Sequence, residues 1–186
     1  AGSQTPILQV FGEVQSQRSL DIRSAVGGTV IELHPDFQNG GLVEEGDVLL
    51  RIDPSNAQTD LDLVEADVAD AQADLREATR ALDLANDEVA AAQEQAALRL
   101  KALERQQNLV ARGVGTEASV ETAELAASSS KQSILARRQS FQSAEARLDQ
   151  AAARVMRVEI SRAEAERNLR DTVLRASFAG ALANVT

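Results

Sequence analysis

The sequence has no cysteine, tryptophan or tyrosine, and its 186 residues include three prolines, four phenylalanines, one histidine and one methionine. Without cysteine there is no disulfide, no thiolate metal site and no thiol nucleophile. A cysteine-free chain is stable in either redox compartment, so this absence does not choose one. Large globular cores draw much of their volume from aromatics, and the scarcity here favours helices in contact through Ala, Leu and Val. There is no run of about 18 apolar residues to span a bilayer, and no recognisable signal peptide; Ala1-Gly2-Ser3 reads as a tag or cloning remnant. A metal site needs several converging ligands, so the lone His34 reads as a surface turn residue. No nucleophile–base pair can be built around it, and no catalytic, metal or cofactor residue is expected. Clustered Lys and Arg are also missing. The net charge of −10 argues against nucleic acid as a partner, and the Arg residues are spread among Glu and Asp as on exposed helix surfaces.

What is present suits long helices: Ala, Glu, Leu, Arg and Gln dominate. The length allows one ordinary domain, or a small domain with an elongated element. Near the N-terminus, Ile7–Val14 reads as a strand, and Ile22–Leu33 as two short strands or one bent around Gly27-Gly28. His34-Pro35-Asp36, Asn39-Gly40-Gly41 and Gly46-Asp47 are turn signals, and Val48–Ile52 is a strand. At Asp53-Pro54 the period changes, with Asp53 a preferred N-cap and Pro54 tolerated at the first helical position.

From there a seven-residue repeat holds. Leu61, Val68, Leu75, Leu82, Val89, Ala96, Leu103 and Val110 form one row; Val64, Ala71, Ala78, Ala85, Ala92, Arg99 and Gln106 form its companion. Alternating steps of three and four make a coiled-coil seam, and small Ala in the companion row lets a partner helix approach closely. Arg112 suits the end of a helix dipole, Gly113 the left-handed position after a helix, and Thr116 the N-cap of a returning helix. Val120, Ala127, Ile134, Phe141, Leu148 and Val155 continue the pattern on that helix. Each arm of about 55–58 residues extends roughly 80–87 Å, and the short turn at 113–116 forces the arms antiparallel. Arg99, Arg137 and Arg162 fall on the seam as snorkelling or cross-hairpin residues. Leu63, Leu84, Ala91 and Leu98 share a second face, a candidate lateral contact between neighbouring hairpins.

Two octets bracket the arms. Arg23-Ser24-Ala25-Val26-Gly27-Gly28-Thr29-Val30 precedes them and Arg175-Ala176-Ser177-Phe178-Ala179-Gly180-Ala181-Leu182 follows, matched in character about Gly28 and Gly180. The fold class expected is α+β, a long antiparallel coiled-coil hairpin inserted between the two halves of a small lipoyl-like β-sandwich. Residues 1–21 form an N-terminal strand segment, 22–53 the first half, 54–171 the hairpin (helix 54–112, tip 113–116, helix 117–171) and 172–186 the second half.

These half-motifs resemble the periplasmic adaptor, or membrane-fusion, family of tripartite efflux pumps and secretion systems (HlyD-like). The resemblance runs through Val26–Val30 and Val43–Asp53 in the first half and Asn168–Gly180 in the second. It implies a periplasmic protein of Gram-negative bacteria, tethered to the inner membrane by a segment not in this sequence. It would bridge an inner-membrane transporter of RND or ABC type to a TolC-type outer-membrane channel, and self-associate into a ring, hexameric or a trimer of dimers. The family's tip carries an Arg, a Leu four residues on and a Ser seven further. Here those positions are Arg105, Leu109 and Thr116, which the resemblance marks for channel docking, beside the tip turn at Arg112, Gly113 and Gly115. Thr116 replaces the family's Ser, and Ser177 stands where the family favours Pro. The chain stops soon after the second half-motif, so the family's barrel and membrane-proximal domains are expected to lie outside it.

Two other readings compete. A coiled-coil scaffold without a transport role would make the octet match coincidental. A lipoyl or biotinyl carrier would need a lysine in an exposed β-turn, whereas Lys101 and Lys131 both fall within the helical arms.

Overall fold

The computed structural model describes residues 9–12, 16 and 18–185. Part of the strand expected over Ile7–Val14 lies outside these residues, and Gln9–Gly12 is in neither helix nor strand. Of the stretch Ile22–Leu33, only Val30–Leu33 forms a strand (β1). It is followed by β2 (Leu42–Val43), β3 (Val48–Ile52), α1 (Ser55–Ala111), α2 (Glu117–Arg170), β4 (Val173–Arg175) and β5 (Gly180–Ala181). This is the expected α+β class.

The β-base is built across the insertion. One sheet runs β1-β3-β4 and the other pairs β2 with β5, all antiparallel. Each sheet therefore joins chain from before the hairpin to chain from after it. Further backbone bonds reinforce the join. Ile52 N–H donates to the Thr172 carbonyl at 2.8 Å, Ala176 N–H to Asp47 at 2.9 Å, and Leu182 N–H to Gly41 at 2.8 Å. Val43, Leu49 and Ala176 form a small buried core, with Phe37, Leu174 and Leu182 packed against it.

The matched octets differ in conformation. A side chain on Gly28 would stand 2.5 Å from the Ile52 methyl, so this position needs glycine for close approach to β3. At Gly180 an added Cβ would meet only Phe178, at 3.6 Å, an ordinary contact.

The base launches α1 through Asp53. Its carboxylate accepts the Ser55 N–H at 3.0 Å and the Ser55 hydroxyl at 2.5 Å, while Gln58 N–H already donates to the Pro54 carbonyl at 2.8 Å. The N-cap is therefore Pro54, one residue later than expected, which has no N–H to leave unpaired, and Asp53 just before it satisfies the first helical residue, Ser55. The hydrogen bonds from Ser55, side chain first and backbone second, hold the Asp53 carboxyl below its ordinary range.

The helices are 57 and 54 residues long, or about 85 and 81 Å at 1.5 Å per residue. Leu61, Val68, Ala71, Ala85 and Ala92 are buried on α1, and Ala127, Ala144 and Ala165 on α2. The remaining seam residues are half-buried, except Arg99 and Arg137, which are exposed. Arg137 turns out to pair across the hairpin with Glu88 at 3.0 Å, and Arg154 bonds Asp74 on the same side. Arg162 instead pairs within α2, with Glu159 at 3.2 Å and Glu166 at 3.4 Å.

Candidate functional site

The tip is built by a helix-ending motif followed at once by a helix-starting one. Gly113 has φ +78° and its N–H donates to the Val110 carbonyl at 2.8 Å, while Val114 N–H reaches back to Leu109 at 3.1 Å. This nested pair is a Schellman ending, which satisfies carbonyls that the helix leaves open. Gly115 is needed for a different reason. A Cβ there would sit 2.8 Å from the Val110 nitrogen and 3.1 Å from the Leu109 carbonyl carbon. The chain turns back tightly against the helix it has just left.

Thr116 then has extended backbone and opens α2, its hydroxyl accepting the Ser119 N–H at 3.3 Å. The Ser119 hydroxyl donates to the Thr116 carbonyl at 2.6 Å, and Glu117 places negative charge on the positive end of the helix dipole. The Thr116 hydroxyl is thereby oriented by the cap, which a serine would satisfy equally.

Arg105 and Leu109 lie one turn apart on one stripe of α1. Arg105, Leu109, Arg112, Gly113 and Thr116 are exposed, and Gly115 is half-buried. Among the described residues Arg105 and Arg112 have no ion-pair partner. The geometry gathers a guanidinium, an aliphatic side chain and a hydroxyl at one end of a stiff rod, all facing solvent. Such a set can dock a partner through charge and hydrogen bonds, but holds no acid–base pair. Among the described residues no group of three or more His, Asp or Glu is placed to hold a metal ion. His34 is held by the turn: its Nδ1 accepts the Asp36 N–H at 3.2 Å, and its Nε2 lies 3.9 Å from Asp47.

Sequence reading did not find the groove on another side of the tip. Val110, Ala111 and Val120 floor it, and Gln107, Glu117, Glu121 and Glu124 rim it, enclosing about 460 Å³. A second groove lies farther down, floored by Val89 and Phe141 and rimmed by Asn86, Arg138, Gln142 and Glu145. The signal was present in the heptad positions flanking the seam, which carry these charges. Leu63, Leu84 and Leu98 are 62–65% exposed on the outer side of α1.

No family model matches the sequence. By fold, the chain is similar to MacA from Actinobacillus actinomycetemcomitans, with a TM-score of 0.55 and 22% identity, covering 89% of this chain and 42% of that one. By sequence, it is 34% identical over 123 residues to the multidrug resistance protein MdtA of Klebsiella pneumoniae, a match covering 62% of this chain. These likenesses bear out the resemblance to HlyD-like adaptors. The MdtA of Escherichia coli K12 matches the chain at 35% identity over the same length. The chain spans 27% of the length of these curated relatives. Among its described residues no helix is long and apolar enough to cross a membrane.

Proposed function

We propose that this chain is the hairpin-bearing part of a periplasmic adaptor that bridges an inner-membrane transporter, of RND or ABC type, to a TolC-type outer-membrane channel. It acts structurally and not as an enzyme, anchored at the inner membrane through chain outside this sequence. The observation that carries the reading is the build of the molecule. A rod of about 85 Å rises from a β-base whose sheets each close across the insertion, and its solvent-facing end carries Arg105, Leu109 and Thr116. Likeness to a multidrug resistance protein supports efflux as the process served. Several copies in a ring would line a conduit, hexameric or as a trimer of dimers, with the β-bases side by side. The lipoyl or biotinyl carrier reading loses its footing, since Lys101 and Lys131 both lie within helices.

The test is binding of the chain to a purified TolC-type channel. Arg105→Asp, Leu109→Ser and Thr116→Asp should each weaken docking by roughly tenfold or more, as loss of an interface anchor does. Aspartate at 116 is itself a good N-cap, so that variant keeps the turn while changing the surface. Unchanged docking with helicity intact by circular dichroism would refute the tip assignment.

A further inference from the structure

A ring of hairpins needs a surface by which copies meet, and the charges along the two arms form a matched pattern. The Glu88–Arg137 pair at 3.0 Å shows which parts of α1 and α2 stand level, and Arg154 with Asp74 agrees to within one helical turn. Asp87 and Arg138 are the chain neighbours of that first pair. Moving by heptads along both arms from them brings Glu94 level with Lys131 and Lys101 level with Glu124. Toward the base, Arg80 comes level with Glu145. The signs are opposite on every rung.

None of these rungs can close within one chain. Arg80, Asp87, Glu94 and Lys101 occupy the heptad position on the far side of α1 from the seam, so they point away from α2. Glu124, Lys131, Arg138 and Glu145 flank the seam on one side of α2. All eight are exposed, and none has an ion-pair partner among the described residues. Moreover, Glu124, Arg138 and Glu145 rim the two grooves. Beside the α1 row runs the exposed stripe of Leu84, Ala91 and Leu98.

We propose that a second copy of this chain docks there: the outer edge of α1 in one copy lies along the groove side of α2 in the next. Arg80–Glu145, Asp87–Arg138, Glu94–Lys131 and Lys101–Glu124 close between copies, and Leu84 and Ala91 cover apolar groove floor at Val89 and Phe141. The contact is heterologous, edge to groove, and so repeats around a ring. Exposed pairs of this kind set register more than affinity. Sliding by one heptad toward the tip or the base leaves three rungs, of which two face like charges. The sign pattern reads the same from either end, and parallel docking is chosen because bridging requires all tips at one end.

This inference rests on the adaptor reading, but its test involves no channel. Lys101 and Lys131 are the chain's only lysines, and both are rungs. A zero-length carbodiimide cross-linker applied to mixed isotope-labelled and unlabelled chain should join Lys101 to Glu124 and Lys131 to Glu94 between copies. Intermolecular links to Glu145 and Asp87 would make the docking antiparallel and overturn the proposal. So would links to other carboxylates, or no mixed-isotope links.

Charge reversal supplies a second readout. Arg80→Glu with Lys101→Glu, or Glu124→Lys with Glu145→Lys, should each weaken self-association by roughly tenfold, and mixing the two variants should restore it. No rescue on mixing would refute an edge-to-groove contact. Tip variants that fail to bind a channel would leave this result untouched, and the reverse also holds.

Discussion

Replacing Ala71 by leucine tests whether the two arms are closed on each other through small residues. Ala71 is 0% exposed, the most buried residue on the seam. If the seam had spare room, three more buried carbons at about 0.8 kcal/mol each would stabilise the hairpin by about 2 kcal/mol, since alanine and leucine differ little in helix propensity. A seam already filled by close approach reverses the sign, because overpacking costs about 1–3 kcal/mol. The expected outcome is destabilisation of that size. Ala66→Leu, on the exposed side of the same helix, should change stability by no more than about 0.5 kcal/mol. Urea unfolding followed by helical circular dichroism gives both values, with comparable m-values required for the comparison. A more stable Ala71→Leu variant would refute the close-packed seam.

At the tip, Gly113→Ala should cost about 1–2 kcal/mol for its left-handed backbone. Gly115→Ala should cost more, because its new Cβ faces backbone at 2.8 Å; amide exchange should quicken at Val114 in both and stay unchanged in mid-arm. At the base, the lowered Asp53 carboxyl contributes stability that is present above the unfolded value of about 4 and lost as pH falls through the lower folded one. The wild type should therefore lead Asp53→Asn at pH 7 and lose that lead as the pH drops below about 4. A gap that held constant with pH, measured by unfolding, would exclude the Asp53 carboxylate as its source.

The arms were legible because a seam repeats. A seven-residue repeat made mainly of Leu, Val and Ala along both arms outvotes any local exception, and the glycine and threonine of the tip act through their own backbone preferences. The exceptions on the seam needed a partner to be understood. Arg137 leaves the seam to meet Glu88, while Arg162 stays with its own helix. In the base, strands of two to five residues carry too little period to read, and pairing between segments more than 100 residues apart leaves no local mark. Ile22–Thr29 looked β-like for its branched residues, yet β1 begins only at Val30. The edge-to-groove pattern was hidden for a related reason. Every one of its charges is visible in the sequence, but their matching exists only once the register between α1 and α2 is known.

Closing both sheets across the insertion has a consequence for reach. Chain leaves β3 at Ile52 and re-enters at Val173 beside it, so the base does not sense how far the arms travel in between. Removing or adding one heptad on each arm, as a level pair, would change the rod by about 10 Å without asking any strand to move. Such a molecule can be fitted to compartments of different depth by editing length alone, in steps that also keep the face of every arm residue.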